Sequence, residues 1–391
     1  MGQSYENPAT GLKSVGQAVT LPNYYANKTI MIQTVLVVGL GKVGSLVGVL
    51  LNRRFSVTGI DKAAPTYAVS FPTQQADITD EAAFATILTG FDAVVSCLPY
   101  SLNLPIARAA HRLGVHYFDL TEDVPTTTAV RDMALTGTSV MAPQCGLAPG
   151  YIGIIGADLA KRFDRLRDME LRVGALPQNP NGLLGYSFTW SPAGVINEYI
   201  NDCEVIHNGV RKWVPALEGL EVINFNGTEM ESFSTSGGLG TMCETYTGQL
   251  DTLNYKTMRY PGHARLMRFL LYELLLKNDR ALAERILTEA KPPVQDDVVY
   301  VYAVVEGWKD GQLKREEFSH AYYPIVMDGQ RWRAISWTTA ASVASVVELV
   351  ADGLLPQQGF IKQEDISLAA FLKTQNGQLY GSAHESETVT L

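Results

Sequence analysis

Three glycines near the start of the chain have the type and spacing of a phosphate-binding turn. Gly39, Gly41 and Gly44 occur in the sequence GLGKVG, after a predicted strand, Thr34–Val38, and before a predicted helix. In such a unit the first glycine permits the tight turn, the second lets a pyrophosphate approach the backbone, and the third allows close helix–strand packing. The free N–H groups of the helix N-terminus bind the phosphates. We therefore predict a dinucleotide site; the alternative is a domain of this fold that has lost its nucleotide.

An acidic residue follows the glycines at the distance expected for a ribose ligand. Asp61 ends the next predicted strand, Ser56–Ile60, and lies 20 residues after Gly41. A carboxylate there accepts hydrogen bonds from the ribose hydroxyls and repels a 2′-phosphate, which favours NAD over NADP. The adjacent Lys62 keeps the alternative open. Further cofactor contacts are predicted at Asp77, which could bond the adenine amino group, and at Lys42, Val43, Ile78, Cys97, Leu98, Pro99 and Leu120.

Two adjacent carboxylates, Glu122 and Asp123, are the candidates for proton transfer. They follow the predicted strand Val115–Asp119, at the edge where doubly wound sheets bind ligands. A carboxylate there could accept a proton and orient water. The alternative is that they cap the helical segment from about Thr127, because acids suit a first helical turn. Glu122 is the first choice of the two, and both interpretations stay open.

Arg259 and His263 flank a Pro-Gly turn between a predicted strand and a predicted helix. An arginine is suited to bind a carboxylate through two hydrogen bonds, and a histidine at a helix start could contact the same group or transfer a proton. The alternative for Arg259 is a structural pair with an acid. The predicted substrate site also includes Tyr100, Trp190, Tyr199 and Thr235, with packing in a loop or core as the alternative for each.

The segment from Ile32 to about Met141 has to position the cofactor residues, and it alternates apolar strands with amphipathic helices. Besides the strands named above, strands are predicted at Ala93–Leu98 and Ser139–Ala142, with a helix at Leu102–Leu113. Strands that alternate with helices and are apolar throughout indicate a parallel sheet covered on both faces. The predicted fold class is therefore α/β, with a Rossmann-type doubly wound sheet.

The second half of the chain has a different pattern, typical of an α+β domain with an antiparallel sheet. Hairpin turns are predicted at Asn208-Gly209, Asn226-Gly227 and Asp310-Gly311, long strands at Val298–Glu306 and Phe318–Val326, and a helix at His263–Leu276. A late apolar stripe, Val343 to Val350, predicts a helix that returns to the first domain. The predicted organisation is a polar extension at 1–30, a dinucleotide-binding domain at 31–149 completed by 336–370, and a substrate-binding domain at 150–335.

Composition and charge exclude several classes of protein. The 391 residues are 46% hydrophobic and 18% charged, which is typical of a globular chain of more than one domain. A net charge of −9 without a basic run argues against nucleic-acid binding. The cysteines are too scattered for a disulfide framework or a zinc site. For that reason we expect no metal. Apolar runs such as Leu266–Leu276 are too short to span a membrane, so we also expect no membrane partner and a cytoplasmic protein.

Four local motifs resemble one protein family. The sequences GLAPG, GALP, FTWSP and MRYPGH occur at Gly146–Gly150, Gly174–Pro177, Phe188–Pro192 and Met258–His263. Their order is similar to that of the saccharopine dehydrogenase superfamily, and the resemblance is closest to the NAD-dependent lysine 6-dehydrogenases. It covers about Ile32 to Ile366. It implies a Rossmann domain, a second domain whose antiparallel sheet helps to form a homodimer, and a last helix returning to the first domain.

One departure within the family concerns the substrate. Glutamate-forming saccharopine dehydrogenases have an aspartate where this chain has Ala148, and lysine 6-dehydrogenases are similar to this chain in having alanine. The resemblance thus implies NAD-dependent oxidative deamination of a basic amino acid, with the ε-amine of L-lysine as first choice. The product would be a semialdehyde that cyclises with the remaining amine. Saccharopine or carboxyalkyl-amine dehydrogenase, and a non-catalytic dimer that senses a nucleotide, stay open as alternatives.

Overall fold

The structure, a computed structural model, describes residues 32–65, 67–225 and 227–381. The predicted extension at 1–30 and Asn226 of one predicted turn lie outside the described residues. The strands are β1 Thr34–Val38, β2 Ser56–Asp61, β3 Thr73–Gln75, β4 Ala93–Ser96, β5 His116–Asp119, β6 Val140–Ala142, β7 Arg165–Pro177, β8 Cys203–His207, β9 Val210–Val214, β10 Glu221–Phe225, β11 Thr228–Ser234, β12 Thr252–Arg259, β13 Asp297–Lys309, β14 Gln312–Tyr322, β15 Ile325–Met327, β16 Gln330–Trp332 and β17 Gly359–Phe360. The helices are α1 Gly44–Leu51, α2 Glu81–Leu88, α3 Asn103–Leu113, α4 Val124–Ala134, α5 Tyr151–Ala160, α6 Pro192–Ile200, α7 Met242–Tyr246, α8 His263–Arg268, α9 Arg280–Ala290, α10 Ala334–Ala351 and α11 Leu368–Phe371.

Among the described residues, one sheet has seven parallel strands in the order β17-β6-β5-β4-β1-β2-β3. Its interior strand β1 is buried on both faces. Val35 and Val37 belong to the core that contains α1, whereas Leu36 and Val38 belong to a second core that contains residues of α3. Alternate side chains of a strand point to opposite faces, so a run of apolar residues requires helices on both sides. The predicted α/β doubly wound fold is confirmed.

The second sheet, within the described part of the chain, follows the order β10-β11-β12-β7-β13-β14, with β8 and β9 beside β12. It is mixed, not wholly antiparallel as predicted: β7 runs parallel to β12 and antiparallel to β13. The chain makes a long crossover between β7 and β12, which a parallel pair requires. The hairpin turns at Asn208-Gly209 and Asp310-Gly311 are confirmed, with φ values of 52°, 73°, 54° and 74°.

Two predicted elements are shorter in the structure. The strand predicted over Phe318–Val326 is interrupted, because β14 ends at Tyr322 and Pro324 cannot donate a backbone hydrogen bond. The helix predicted from His263 to Leu276 continues beyond Arg268 only as one π-helical turn, and Leu275 has a left-handed φ of 56°. The spacing of apolar residues along the sequence predicted the presence of these two elements better than it predicted where they end.

Helix α10 brings the late part of the chain back to the first sheet. It packs against α1 and ends just before Gly353, whose φ is 68°. Beyond it, β17 pairs with β6, with Gly359 opposite Val140. This helix has 18 residues and is apolar enough to cross a membrane, unlike the shorter apolar runs considered from the sequence, but 83% of it is buried inside the molecule. Its apolar surface therefore forms part of the protein core.

Candidate active site

A cleft of about 510 Å³ lies at the carboxyl edge of the parallel sheet and extends to the second sheet. Its walls come from the turn after β1, the loops after β4 and β5, strands β7 and β12, and helices α6 and α10. The predicted site residues that line it are Gly41, Lys42, Val43, Gly44, Cys97, Leu98, Pro99, Tyr100, Leu120, Glu122, Trp190 and Arg259. Those that do not line it are Gly39, Asp61, Asp77, Ile78, Asp123, Tyr199, Thr235 and His263.

The glycine turn has the shape needed to hold a pyrophosphate. Gly39 has a φ of 92°, and a Cβ atom there would lie 2.8 Å from Leu98 Cδ2. A Cβ atom on Gly44 would lie 1.8 Å from the carbonyl oxygen of Gly39, so both positions require glycine. At Gly41 a Cβ atom would meet nothing within 4 Å. The backbone of Gly41 thus faces open space, and the turn fits a dinucleotide.

Positive charge lies beside this turn. Burial lowers the pKa of Lys42, and the nearby charge of Arg333 lowers it further. Arg333, which precedes α10, is 7% exposed and donates from Nε to the carbonyl oxygen of Val294. Two neighbouring cations are stabilised by an anion between them, so an anionic group is favoured here. Sequence reasoning missed Arg333 because it is distant in the chain from the glycines.

The acidic residues predicted to contact the adenosine half lie outside the cleft. Asp61 accepts hydrogen bonds from the backbone N–H of Leu40 at 2.7 Å and of Ala63 at 3.1 Å, which ties the end of β2 to the glycine turn. Asp77 is exposed, and hydrogen bonds from the N–H and hydroxyl of Thr79 lower its pKa. Asp61 is therefore beside the turn, as a ribose ligand would be. The contact between Asp77 and adenine stays a prediction.

The loop after β4 contributes a thiol and a phenol to the cleft. Burial, followed by the charge of Asp119, raises the pKa of Cys97 to about 12, so this thiol is protonated at neutral pH and is a poor nucleophile. The hydroxyl of Tyr100 accepts a hydrogen bond from Arg280 Nη1 at 3.3 Å, and the same nitrogen donates to Asn197 Oδ1 at 3.2 Å. Tyr100 is therefore held by Arg280 of α9, and Arg280 is held in turn by Asn197 of α6.

The two adjacent acids after β5 have different environments. Asp123 caps α4: its Oδ2 accepts from Thr126 N at 2.9 Å and from Thr126 Oγ1 at 2.7 Å. The capping alternative therefore holds for Asp123, and its predicted catalytic role is corrected. Glu122 lines the cleft, and burial, aided by the charges of Asp123 and Asp119, raises its pKa to about 7. A carboxyl group with that pKa can exchange protons near neutral pH.

Arg259 enters the cleft from the end of β12 and is 2% exposed. Its Nε donates to Tyr199 Oη at 3.0 Å, its Nη1 donates to the carbonyl oxygen of Met258 at 2.8 Å, and the guanidinium lies 4.7 Å from the ring centre of Tyr186. No carboxylate among the described residues forms an ion pair with it. The structural Arg–acid pair considered from the sequence is thus absent from the described part of the chain, and the guanidinium can bind an anion.

His263 is behind Arg259 and not in the cleft, so its predicted catalytic role is also corrected. It is 1% exposed, with Nδ1 at 3.0 Å from the carbonyl oxygen of Leu184 and Nε2 at 3.1 Å from Tyr199 Oη. Burial, followed by the charge of Arg259, lowers its pKa to about 3. The imidazole is therefore neutral, and each of its nitrogens contacts a hydrogen-bond partner. It holds Tyr199 in place, and Tyr199 in turn orients Arg259. Thr235 is likewise buried away from the cleft.

Glu198 is the acidic residue of the cleft that sequence reasoning missed. It is 6% exposed, lies on α6 and lines the cleft together with Glu122 and Arg259. Burial, followed by the charge of Glu122 and partly offset by Arg259, raises its pKa well above the usual range. A signal was present in the sequence, because Glu198 is the one charged residue in the segment PAGVINEYI of α6.

The parallel sheet, the glycine turn and the cleft define a protein of the dinucleotide-binding Rossmann class. Residues 35–142 match the family model described as "Saccharopine dehydrogenase NADP binding domain", and residues 146–376 match "Saccharopine dehydrogenase C-terminal domain". The chain belongs to the saccharopine dehydrogenase family. The resemblance to this superfamily is thereby confirmed, whereas the closer likeness to lysine 6-dehydrogenases stays a prediction.

Similar proteins agree with this assignment. "Saccharopine dehydrogenase [NADP(+), L-glutamate-forming]" of Schizosaccharomyces pombe is 25% identical over 34% of this chain and 31% of its own length. The Saccharomyces cerevisiae protein of the same name is 22% identical over 52% of this chain and 48% of its own length. The solved apo saccharopine dehydrogenase (L-Glu forming) from S. cerevisiae has a TM-score of 0.70 at 15% identity, covering 89% of this chain and 98% of that one. The curated relatives are thus matched over less than half of their length, and the solved structure supports the fold.

Proposed function

We propose that the protein is an NAD-dependent dehydrogenase that oxidatively deaminates a basic amino acid, with the ε-amine of L-lysine as the first choice. The observation that carries this proposal is the set of charged groups in one cleft: besides Lys42 at the glycine turn, these are Arg259, Glu122 and Glu198. L-lysine has one carboxylate and two amines, so its charges complement one guanidinium and two carboxylates. Pairing each buried charge matters, because an unpaired buried charge costs several kcal/mol, on the order of 3–5.

Glu122 is suited to handle the proton that this reaction releases. A free ε-ammonium has a pKa near ~10.4, and the carbon beside the nitrogen loses a hydride only when the lone pair is free. A carboxylate of raised pKa at the carboxyl edge of the sheet can accept the ammonium proton and later orient the water that attacks the imine. The nicotinamide of the bound cofactor would be the hydride acceptor. The cofactor would be held by the glycine turn, Lys42 and the loop after β4.

Asp61 supports NAD as the cofactor. Its carboxylate would bind the ribose hydroxyls and repel a 2′-phosphate. The names of the curated relatives specify NADP(+), and the family model is named for an NADP-binding domain. The choice between the two cofactors is therefore part of the test.

The second candidate function is that of a saccharopine or carboxyalkyl-amine dehydrogenase, which forms a C–N bond reductively. The names of the relatives favour it. Saccharopine, however, has three carboxylates, and the cleft has two carboxyl groups of its own, Glu122 and Glu198, against the one guanidinium of Arg259. A non-catalytic nucleotide sensor would have no need for Glu122 at the reacting edge.

An amine panel with NAD and NADP in parallel tests the proposal. We expect absorbance of the reduced nicotinamide to rise with L-lysine and NAD. Consumption of NADPH only when both an aldehyde and glutamate are present would establish the second candidate instead. Binding of cofactor without turnover of any amine would favour the sensor.

A further inference from the structure

We propose that Glu198 recognises the α-ammonium group of the substrate, while Arg259 binds its α-carboxylate and Glu122 faces the amine that reacts. This inference rests on the proposed function and makes it more specific. It defines the substrate class as α-amino acids that have a second amine at the far end of the side chain.

The two carboxyl groups come from different elements: Glu198 belongs to α6, and Glu122 reaches the same helix from the loop after β5. A Cβ atom on Gly194 of α6 would lie 3.2 Å from Glu122 Oε1, so that oxygen is beside position 194. Glu198 is four residues further along the same helix and shares its face. Both carboxyl groups line the cleft, so each can meet a cationic group of a substrate.

Arg259 marks the end of the cleft that suits the α-amino acid group. The charge of Arg259 lowers the pKa of Glu198 and so partly offsets the rise in that pKa that burial causes. Tyr255 and Thr257, on the same strand as Arg259, also line the cleft, and the charges of Glu198 and Arg259 both act on Tyr255. A carboxyl group and a guanidinium that line the same cleft are the complement of an ammonium and a carboxylate on one carbon.

Glu122 marks the reacting end. It follows Leu120 and Thr121 at the carboxyl edge of the parallel sheet, where all three line the cleft together with Cys97. Ligands of doubly wound sheets bind at this edge, above the ends of the central strands. The amine nearest Glu122 is therefore the one beside the hydride acceptor.

Glu198 has no other structural role that would account for its burial. No described residue donates a hydrogen bond to its carboxylate, although Ser236 N donates to its backbone carbonyl at 3.1 Å. The titratable groups whose charges interact with it are Glu122 and Arg259, and the charge of Glu198 also acts on Tyr186, Tyr199, Cys203 and Tyr255. Because this carboxyl group lines the cleft, a ligand bound there can supply the missing donor.

The test compares Glu198→Gln with Glu122→Gln on L-lysine and on 6-aminohexanoate, which lacks the α-amino group. A charged hydrogen bond contributes about 1.5–3 kcal/mol, so Glu198→Gln should lower kcat/KM for L-lysine about 10- to 100-fold. We expect its kcat/KM for 6-aminohexanoate to change less than about threefold, because the lost partner is missing from that substrate. Glu122→Gln should impair both substrates. Glu289→Gln, at an exposed position of α9, is the matched control and should impair neither.

Measurements on the wild type add an arm that does not depend on a folded variant. Nα-acetyl-L-lysine, whose α-nitrogen is uncharged, should be a much poorer substrate than L-lysine. If L-lysine is oxidised but Glu198→Gln impairs both substrates equally, or if acetylation has no effect, this inference is overturned while the proposed function stands. If the wild type oxidises neither L-lysine nor 6-aminohexanoate, the proposed function fails and the inference fails with it.

Discussion

At the scale of single residues, the position of one guanidinium depends on a chain of buried hydrogen bonds. Leu184 O contacts His263, His263 contacts Tyr199, and Tyr199 accepts from Arg259. Each of these side chains is nearly inaccessible to water, so each contact is made in a medium of low dielectric constant. His263 and Tyr199 therefore act as positioning residues, although neither lines the cleft.

Tyr199→Phe tests this positioning role. The substitution removes the hydroxyl that accepts from Arg259 but keeps the ring, so we expect the fold to persist. The guanidinium loses orientation, and KM for the amino acid should rise about 10-fold, the equivalent of about 1.4 kcal/mol, while kcat changes little. Steady-state kinetics separate the two constants. A fall in kcat at unchanged KM would contradict the assignment.

Glu122 makes both activity and stability depend on pH. Its pKa is raised to about 7, so the ionised base accumulates as pH rises, and kcat/KM should increase through that pH. The native state holds this proton more tightly than the unfolded state does, so ionisation destabilises the fold between the ordinary glutamate pKa and about 7. Glu122→Gln should abolish the rise in kcat/KM. It should also raise the melting temperature by a few degrees at pH 8 but not at pH 4. A pH profile that the variant retains would exclude Glu122 as the base.

Asp61 should determine the choice of nicotinamide cofactor. Asp61→Ala removes the expected acceptor for the ribose hydroxyls, and the dissociation constant for NAD should rise about 10- to 100-fold. The affinity for NADP should fall much less, because the repulsion between Asp61 and the 2′-phosphate disappears at the same time. Asp61→Asn keeps an oxygen that can accept from Leu40 N and isolates the effect of charge. Equal losses for the two cofactors, measured by fluorescence titration, would mean that Asp61 does not contact the ribose.

At the scale of elements, the turn between β1 and α1 contains two glycines with different roles. Gly44 is needed for folding, and Gly41 is expected to serve cofactor binding. A Cβ atom on Gly44 overlaps the carbonyl oxygen of Gly39, whereas one on Gly41 meets open space. Gly44→Ala should lower the free energy of unfolding by about 1–3 kcal/mol or more. Gly41→Ala should leave it unchanged and weaken NAD binding about 10-fold or more. Thermal melts and cofactor titrations of this matched pair distinguish the two roles, and a loss of stability in Gly41→Ala would contradict them.

At the scale of the whole molecule, an aromatic cluster joins distant parts of the chain. Tyr151 of α5 stacks on Tyr380 with ring centres 3.9 Å apart, and Tyr380 also contacts Phe371, Tyr322 and Trp337. The hydroxyl of Tyr380 donates to the carbonyl oxygen of Thr338 in α10. The cluster thus holds the last described helical segment against α5 and α10, and through them against both sheets.

Tyr380→Ala should therefore destabilise the molecule strongly. Removing a fully buried aromatic ring leaves a cavity and costs about 3–5 kcal/mol. Leu354→Ala is the control, since Leu354 is 62% exposed and its truncation should change the free energy of unfolding by less than about 0.5 kcal/mol. Urea denaturation measures both. If Tyr380→Ala lowers the free energy of unfolding no more than Leu354→Ala does, the aromatic cluster does not hold these segments together.

The sequence by itself determined the parallel sheet, the glycine turn and the position of Asp61, because these depend on local spacing and on the apolar period of consecutive residues. It also identified Glu122, which follows the end of a strand, and Arg259, which is the last residue of one. It could not separate Glu122 from Asp123, remove His263 from the site or find Glu198. Those assignments depend on which side chains of distant segments meet in one cleft, and on the burial and electrostatic interactions that result. Only the tertiary structure brings α6 and β12 to the carboxyl edge of the first sheet, and so only it decides the charges that a substrate would meet.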